Sequence, residues 1–186
     1  DEPANWAEKL GFPAGKKEVA NNLEAVTAPC PPHTATAHYL ENELIQSAAV
    51  MVPCPAANGF IQWAMDHPEK DVGLHLTLTS EWKTYRWGPV TDPGEVPGLI
   101  DPDGMFWHEV PDVVAHASAE DVEKEIRAQI NRSIDMGYQP DHIDTHMGTL
   151  YGHTSYVEVF YKLAEEYGIP ANVIDLSDSM VVENFI

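Results

Sequence analysis

The chain has 186 residues, 44% of them hydrophobic, enough for one domain with a buried core. No apolar run approaches the ~20 residues of a membrane-spanning helix. The formal charge is -20, from 30 acidic and 10 basic residues. Such a field repels phosphate backbones and argues against nucleic acid as a partner, while tolerating neutral sugars and attracting cations.

Along the chain, helical spacing first appears over about Thr36–Glu43, followed by a short apolar strand at Ser47–Val52 and a helix at Ala56–Asp66. Val72–Thr79 then alternates, with Leu74, Leu76 and Leu78 on one face and Gly73, His75, Thr77 and Thr79 on the other. Residues 80–117 are rich in Gly, Pro and Asp, and an insertion of that length is more often functional than idle. Its rings, from Trp82, Tyr85 and Trp87 to Phe106 and Trp107, suit either stacking on pyranose rings or pinning the loop to the core.

The clearest helix spans Ser118–Met136: Ser118 and Asp121 form a capping-box pattern, Val122, Ile126, Ile130 and Ile134 recur every four residues, and Gly137 stops it. A strand at His142–Met147, a helix at Ser155–Tyr167 closed by Gly168 and Pro170, and a strand at Ala171–Leu176 complete the series. Helices alternating with strands predict parallel α/β packing in a single domain over 1–186. Cys30 and Cys54, both flanked by prolines, sit in loops and allow at most one disulfide. The chain opens at Asp1 without methionine, as a processed or trimmed product would, which leaves the compartment open and allows a periplasmic or secreted one.

The run His142-Ile143-Asp144-Thr145-His146 carries most of the chemistry. In an extended strand His142, Asp144 and His146 share one face, and imidazole with carboxylate suits a divalent cation. A polar strand end whose histidines only hydrogen-bond would use the same residues. His75 taken alone reads more readily as a satisfied core histidine. With His142 and His146 on a neighbouring strand, a shared metal accounts for all of them together.

Val72-Gly73-Leu74-His75-Leu76-Thr77-Leu78-Thr79, followed by Pro140-Asp141-His142-Ile143-Asp144-Thr145-His146, resembles the YdjC-like carbohydrate deacetylases, relatives of chitooligosaccharide deacetylase. The resemblance runs from about Leu10 to the end of the chain and includes the apolar strand Ser47–Val52. It implies a parallel (β/α)-barrel-like fold, in this chain incomplete, because four strands are too few to close a barrel. It also implies a divalent metal, magnesium or zinc, and metal-assisted removal of N-acetyl groups from amino sugars or oligosaccharides. His75 and His146 match the two metal histidines, and His142 and Asp144 fall where they would orient His146 or the water. Glu24-Ala25, or Ala25-Val26 with a one-residue shift, stands where the family carries an Asp-Asp pair, one a ligand and one a base, so Glu24 is the acidic residue placed to serve as base. The segment Glu18–Val26, with adjacent Asn21 and Asn22, reads poorly as a buried strand. The late His-Pro motif of the family is not found. The expected partner is a small carbohydrate, with a homodimer as the assembly left open.

Two other readings use the same residues: a catalytically impaired relative that binds carbohydrate or metal, and a different metallohydrolase such as a phosphoesterase. Substrate charge separates the last, since there is no basic cluster beside either histidine motif to hold a phosphate.

Overall fold

Four parallel strands, adjacent in the order in which they occur in the sequence, make up the sheet of the computed structural model, which describes residues 23–25 and 32–173. They are β1 (Leu23–Ala25), β2 (Ser47–Val50), β3 (Asp71–Leu76) and β4 (Ile143–Thr145). Parallel neighbours require crossovers, and helices supply them: α1 (Pro32–Glu41), α2 (Ala57–Asp66), then α3 (Val110–His116) with α4 (Ala119–Asp135). α5 (Thr154–Tyr167) follows β4 and ends in the left-handed Gly168, φ 64°, whose N–H closes on the carbonyls of Ala164 and Glu165.

A parallel sheet covered on both faces needs strands that are apolar throughout rather than alternating. β2 meets that with Ala48, Ala49 and Val50, all buried. β3 meets it differently, because Val72, Leu74 and Leu76 are fully buried on one face while Gly73 and His75 are buried on the other. The parallel α/β expectation is therefore correct for the described residues, where the sheet is an open one of four strands.

Several elements differ from those the sequence predicts, beyond shifts of a few residues at the ends of α1, β2 and β3. Leu23–Ala25 does pair as an edge strand, with Glu24 in register with Ala49 and Ala49 with Gly73, although its composition argued otherwise. Of the strand expected at 171–176, Ala171 makes a parallel bridge to Ile143, and residues 174–176 lie outside the described part. The expected strand His142–Met147 stops at Thr145, and His146 opens a 3-10 segment.

In α4 the capping box is present, with the Ser118 hydroxyl accepting from the Asp121 N–H at 3.1 Å and Asp121 accepting from the Ser118 N–H at 3.0 Å. Ile134, however, is 36% exposed. A four-residue spacing overshoots the helical period by about 40° per step, so three steps from Val122 carry Ile134 about 120° off the buried face. Glu125, Gln129 and Ser133 are buried in its place.

The long insertion is more ordered than a loop. It holds two 3-10 turns, Pro93–Glu95 and Pro97–Leu99, as well as α3, which Pro111 helps to start in its first turn. Arg86 anchors it, donating to Asp101 at 2.8 Å, to the Phe106 carbonyl at 2.5 Å and to the Ser80 hydroxyl at 3.2 Å.

Candidate active site

β3 ends at Leu76, yet its chain continues to Glu81 without a ladder partner to satisfy the backbone. α4 takes over that role. Gln129 accepts from the Thr77 N–H at 3.0 Å and donates to the Thr77 carbonyl at 2.7 Å, and it also donates to Glu125 at 2.8 Å. Glu125 in turn accepts from the N–H groups of Val90 and Thr91, at 3.0 Å each. Burial raises the Glu125 carboxyl above the usual range, against the hydrogen bonds that favour its charged form. The Thr77 hydroxyl then donates to the His75 carbonyl at 2.6 Å, so the helix grips the strand close to the histidine.

On the neighbouring strand, Met147 and Gly148 both adopt left-handed conformations, φ 51° and 65°, and turn the chain sharply after His146. A non-glycine residue in that region is uncommon, and this one sits beside a candidate catalytic residue. The turn is held by the Thr149 hydroxyl donating to the His146 carbonyl at 2.8 Å and the Leu150 N–H donating to the Thr145 hydroxyl at 3.1 Å.

The result is a line of four side chains. His75 Nδ1 lies 2.7 Å from the Asp144 carboxylate, and His146 Nε2 lies 3.0 Å from the Glu81 carboxylate. The other two ring nitrogens, His75 Nε2 and His146 Nδ1, lie 3.1 Å from each other. An ionised carboxylate can only accept, so each outer nitrogen carries the proton and each inner nitrogen of a neutral ring presents a lone pair. Two lone pairs at that distance repel unless a cation, a proton or a metal ion, lies between them. Two imidazole nitrogens each about 2.0–2.1 Å from one tetrahedral zinc would stand about 3.3 Å apart, so the pair fits such an ion.

The structure thus brings His75, Asp144 and His146 together, with Asp144 on His75 rather than on His146. His142, expected to orient His146 or the water, is turned elsewhere. Its Nδ1 lies 3.1 Å from Asp71, its ring crosses Gly73, and its buried Nε2 has no hydrogen-bond partner among the described residues. A Cβ on Gly73 would fall 2.4 Å from the His142 ring, which is why this strand position has none. Glu24 lies in β1, in register with Ala49. Glu81 takes the place expected of His142, and sequence reasoning missed it. Continuing the alternation His75, Thr77, Thr79 by one step would have pointed to it.

Among the described residues no three His, Cys, Asp or Glu side chains form a group that could hold a metal ion. No helix there is long and apolar enough to cross a membrane.

The model of the YdjC-like protein family matches residues 33–184. The chain belongs to the YdjC-like family. Among curated YdjC-like relatives, a carbohydrate deacetylase of Geobacillus stearothermophilus is 35% identical over 130 residues, covering 70% of this chain and 49% of the relative. One from Thermus thermophilus is 36% identical over 123 residues, covering 66% and 42%. The chain therefore spans about half the length of the curated relatives it matches. A solved structure from Enterococcus faecalis V583, of a protein assigned provisionally to cellobiose-phosphate cleavage, superposes with a TM-score of 0.70 at 25% identity, covering 86% of this chain and 60% of that one.

Proposed function

We propose that this chain is a metal-dependent hydrolase that removes N-acetyl groups from amino sugars or short oligosaccharides, with His75 and His146 as metal ligands. The observation that carries the reading is the convergence of their inner nitrogens at 3.1 Å while carboxylates hold the outer ones. A carboxylate bonded to the far nitrogen of a metal-binding histidine fixes its tautomer and raises its basicity, and Asp144 and Glu81 would act in this way. Imidazole donors favour zinc over magnesium, whose sites are oxygen-rich. When bound, a divalent ion would supply Lewis-acid polarisation of the amide carbonyl and ease deprotonation of water.

Within this reading Glu24 remains the candidate to accept the proton of the attacking water. On the same footing, the four strands are proposed as part of a larger barrel-like sheet. A second reading, a relative that binds metal or sugar without turnover, is favoured by one observation: Glu24-Ala25 stands where the resemblance implies an Asp-Asp pair. Elemental analysis of the purified protein, with an accurate intact mass, tests the proposal. Near-stoichiometric zinc that disappears in His75→Ala and His146→Ala is expected. Absence of any bound or bindable divalent metal would refute it.

A further inference from the structure

The aromatic side chains of the insertion divide by burial, and the division separates pins from a free face. Phe106 is fully buried and Trp87 is 2% exposed. Trp107 donates to the Gly98 carbonyl at 2.9 Å and stacks on His116 with centroids 4.2 Å apart. Trp82 is different, with 37% of its surface exposed. It rests on two other rings, Trp87 at 6.2 Å and Tyr85 at 6.3 Å, both in inclined edge contacts. Trp87 beneath it is fixed by its indole N–H to the Thr79 carbonyl, 2.8 Å, and by its backbone N–H to the Ser80 hydroxyl, 3.0 Å. The Trp87 ring also lies 6.3 Å from the His146 ring. Trp82 thus presents part of a large aromatic face to solvent, next in sequence to the carboxylate on His146.

We propose that Trp82 is a sugar-stacking position, binding the apolar face of a pyranose ring adjacent to the one that reacts. The inference rests on the deacetylase reading for its placement. The carboxylate of Glu81, next to it in sequence, disfavours anionic sugars, so the ligand class is a neutral or amino-sugar oligosaccharide rather than a sugar phosphate. An indole offers a wide, rigid face at low entropic loss, as recognition of a ring requires.

The experiment titrates intrinsic fluorescence of the full chain with two disaccharides: N,N′-diacetylchitobiose, and cellobiose, which has no acetyl group. Acetate release from the first is followed in parallel. Trp82→Ala is expected to weaken binding of both sugars about ten-fold and to raise KM for acetate release by a similar factor. Trp82→Tyr, which keeps a stacking face, should stay within about two-fold of the wild type. Binding that is equal in the wild type and Trp82→Ala would overturn the proposal, as would a wild type that binds neither sugar. Equal losses in Trp82→Tyr and Trp82→Ala, with both melting early, would assign the residue to loop packing and overturn it too. Trp82-dependent binding of both sugars without acetate release would uphold the platform and refute the deacetylase reading instead.

Discussion

The Glu81 carboxylate accepts the Nε2–H of His146 at 3.0 Å across 65 residues of sequence, and this bond sets which ring nitrogen of His146 faces His75. Asp144 does the same for His75 from the adjacent strand. Removing either carboxylate frees the ring to change tautomer and tilt. Glu81→Ala and Asp144→Ala should each lower zinc affinity about 10–100-fold in competition with a chromophoric chelator. His142→Ala, remote from the inner nitrogens, should change it far less. Unaltered affinity in both carboxylate variants would contradict their orienting role.

Gly73 faces the His142 ring so closely that an added methyl group must displace it. Gly73→Ala is expected to destabilise the fold by about 1–3 kcal/mol, the usual range for overpacking a filled interior. Denaturant midpoints check this. The loss should shrink only in part in Gly73→Ala combined with His142→Ala, because the His142 carbonyl at 2.5 Å remains, and fully additive losses would argue against the ring as a cause.

Among the described residues, Gln129 alone bonds both the backbone N–H and the backbone carbonyl of Thr77. Gln129→Leu keeps similar volume but leaves a buried N–H and a buried carbonyl unpaired, at about 1–3 kcal/mol each. The variant should unfold earlier and also bind zinc more weakly, since Thr77 is bonded to the His75 carbonyl. Wild-type stability in Gln129→Leu would contradict this.

Burial raises the Asp101 carboxyl, but the hydrogen bond from Arg86 and those from the N–H groups of Met105 and Asp103 outweigh it and hold the group below its ordinary range. A depressed folded-state pKa contributes stability that is complete above the unfolded value and is lost as pH falls through the folded one. The wild type should therefore exceed Asp101→Asn in stability near neutrality, and the gap should narrow as pH drops below about 4. Chemical unfolding at about pH 6 and about pH 3 reads this directly, and a gap independent of pH would contradict it.

Much of this was legible in the sequence where local rules and packing agree. The Ser118 cap, the Gly168 stop and the apolar face of β3 follow from residue type and period alone. His75, Asp144 and His146 were legible because a polar group in a buried strand needs a partner. Glu81 continues the alternation of His75, Thr77 and Thr79, but it lies beyond Leu76, where β3 ends, and period alone does not show that its carboxylate meets His146. The turn after His146 was hidden for a related reason, since left-handed Met147 has no compositional signal of its own. His142 shared the parity of its neighbours, but parity does not reveal that Gly73 opens a place for its ring.

The most direct test of the metal-hydrolase account is acetate release from N,N′-diacetylchitobiose by chelator-stripped wild type, before and after zinc is restored, beside His146→Ala. The account predicts activity that is lost on stripping, returns with zinc and is absent in His146→Ala under both conditions. Full activity in the stripped protein, unchanged by His146→Ala, would contradict it.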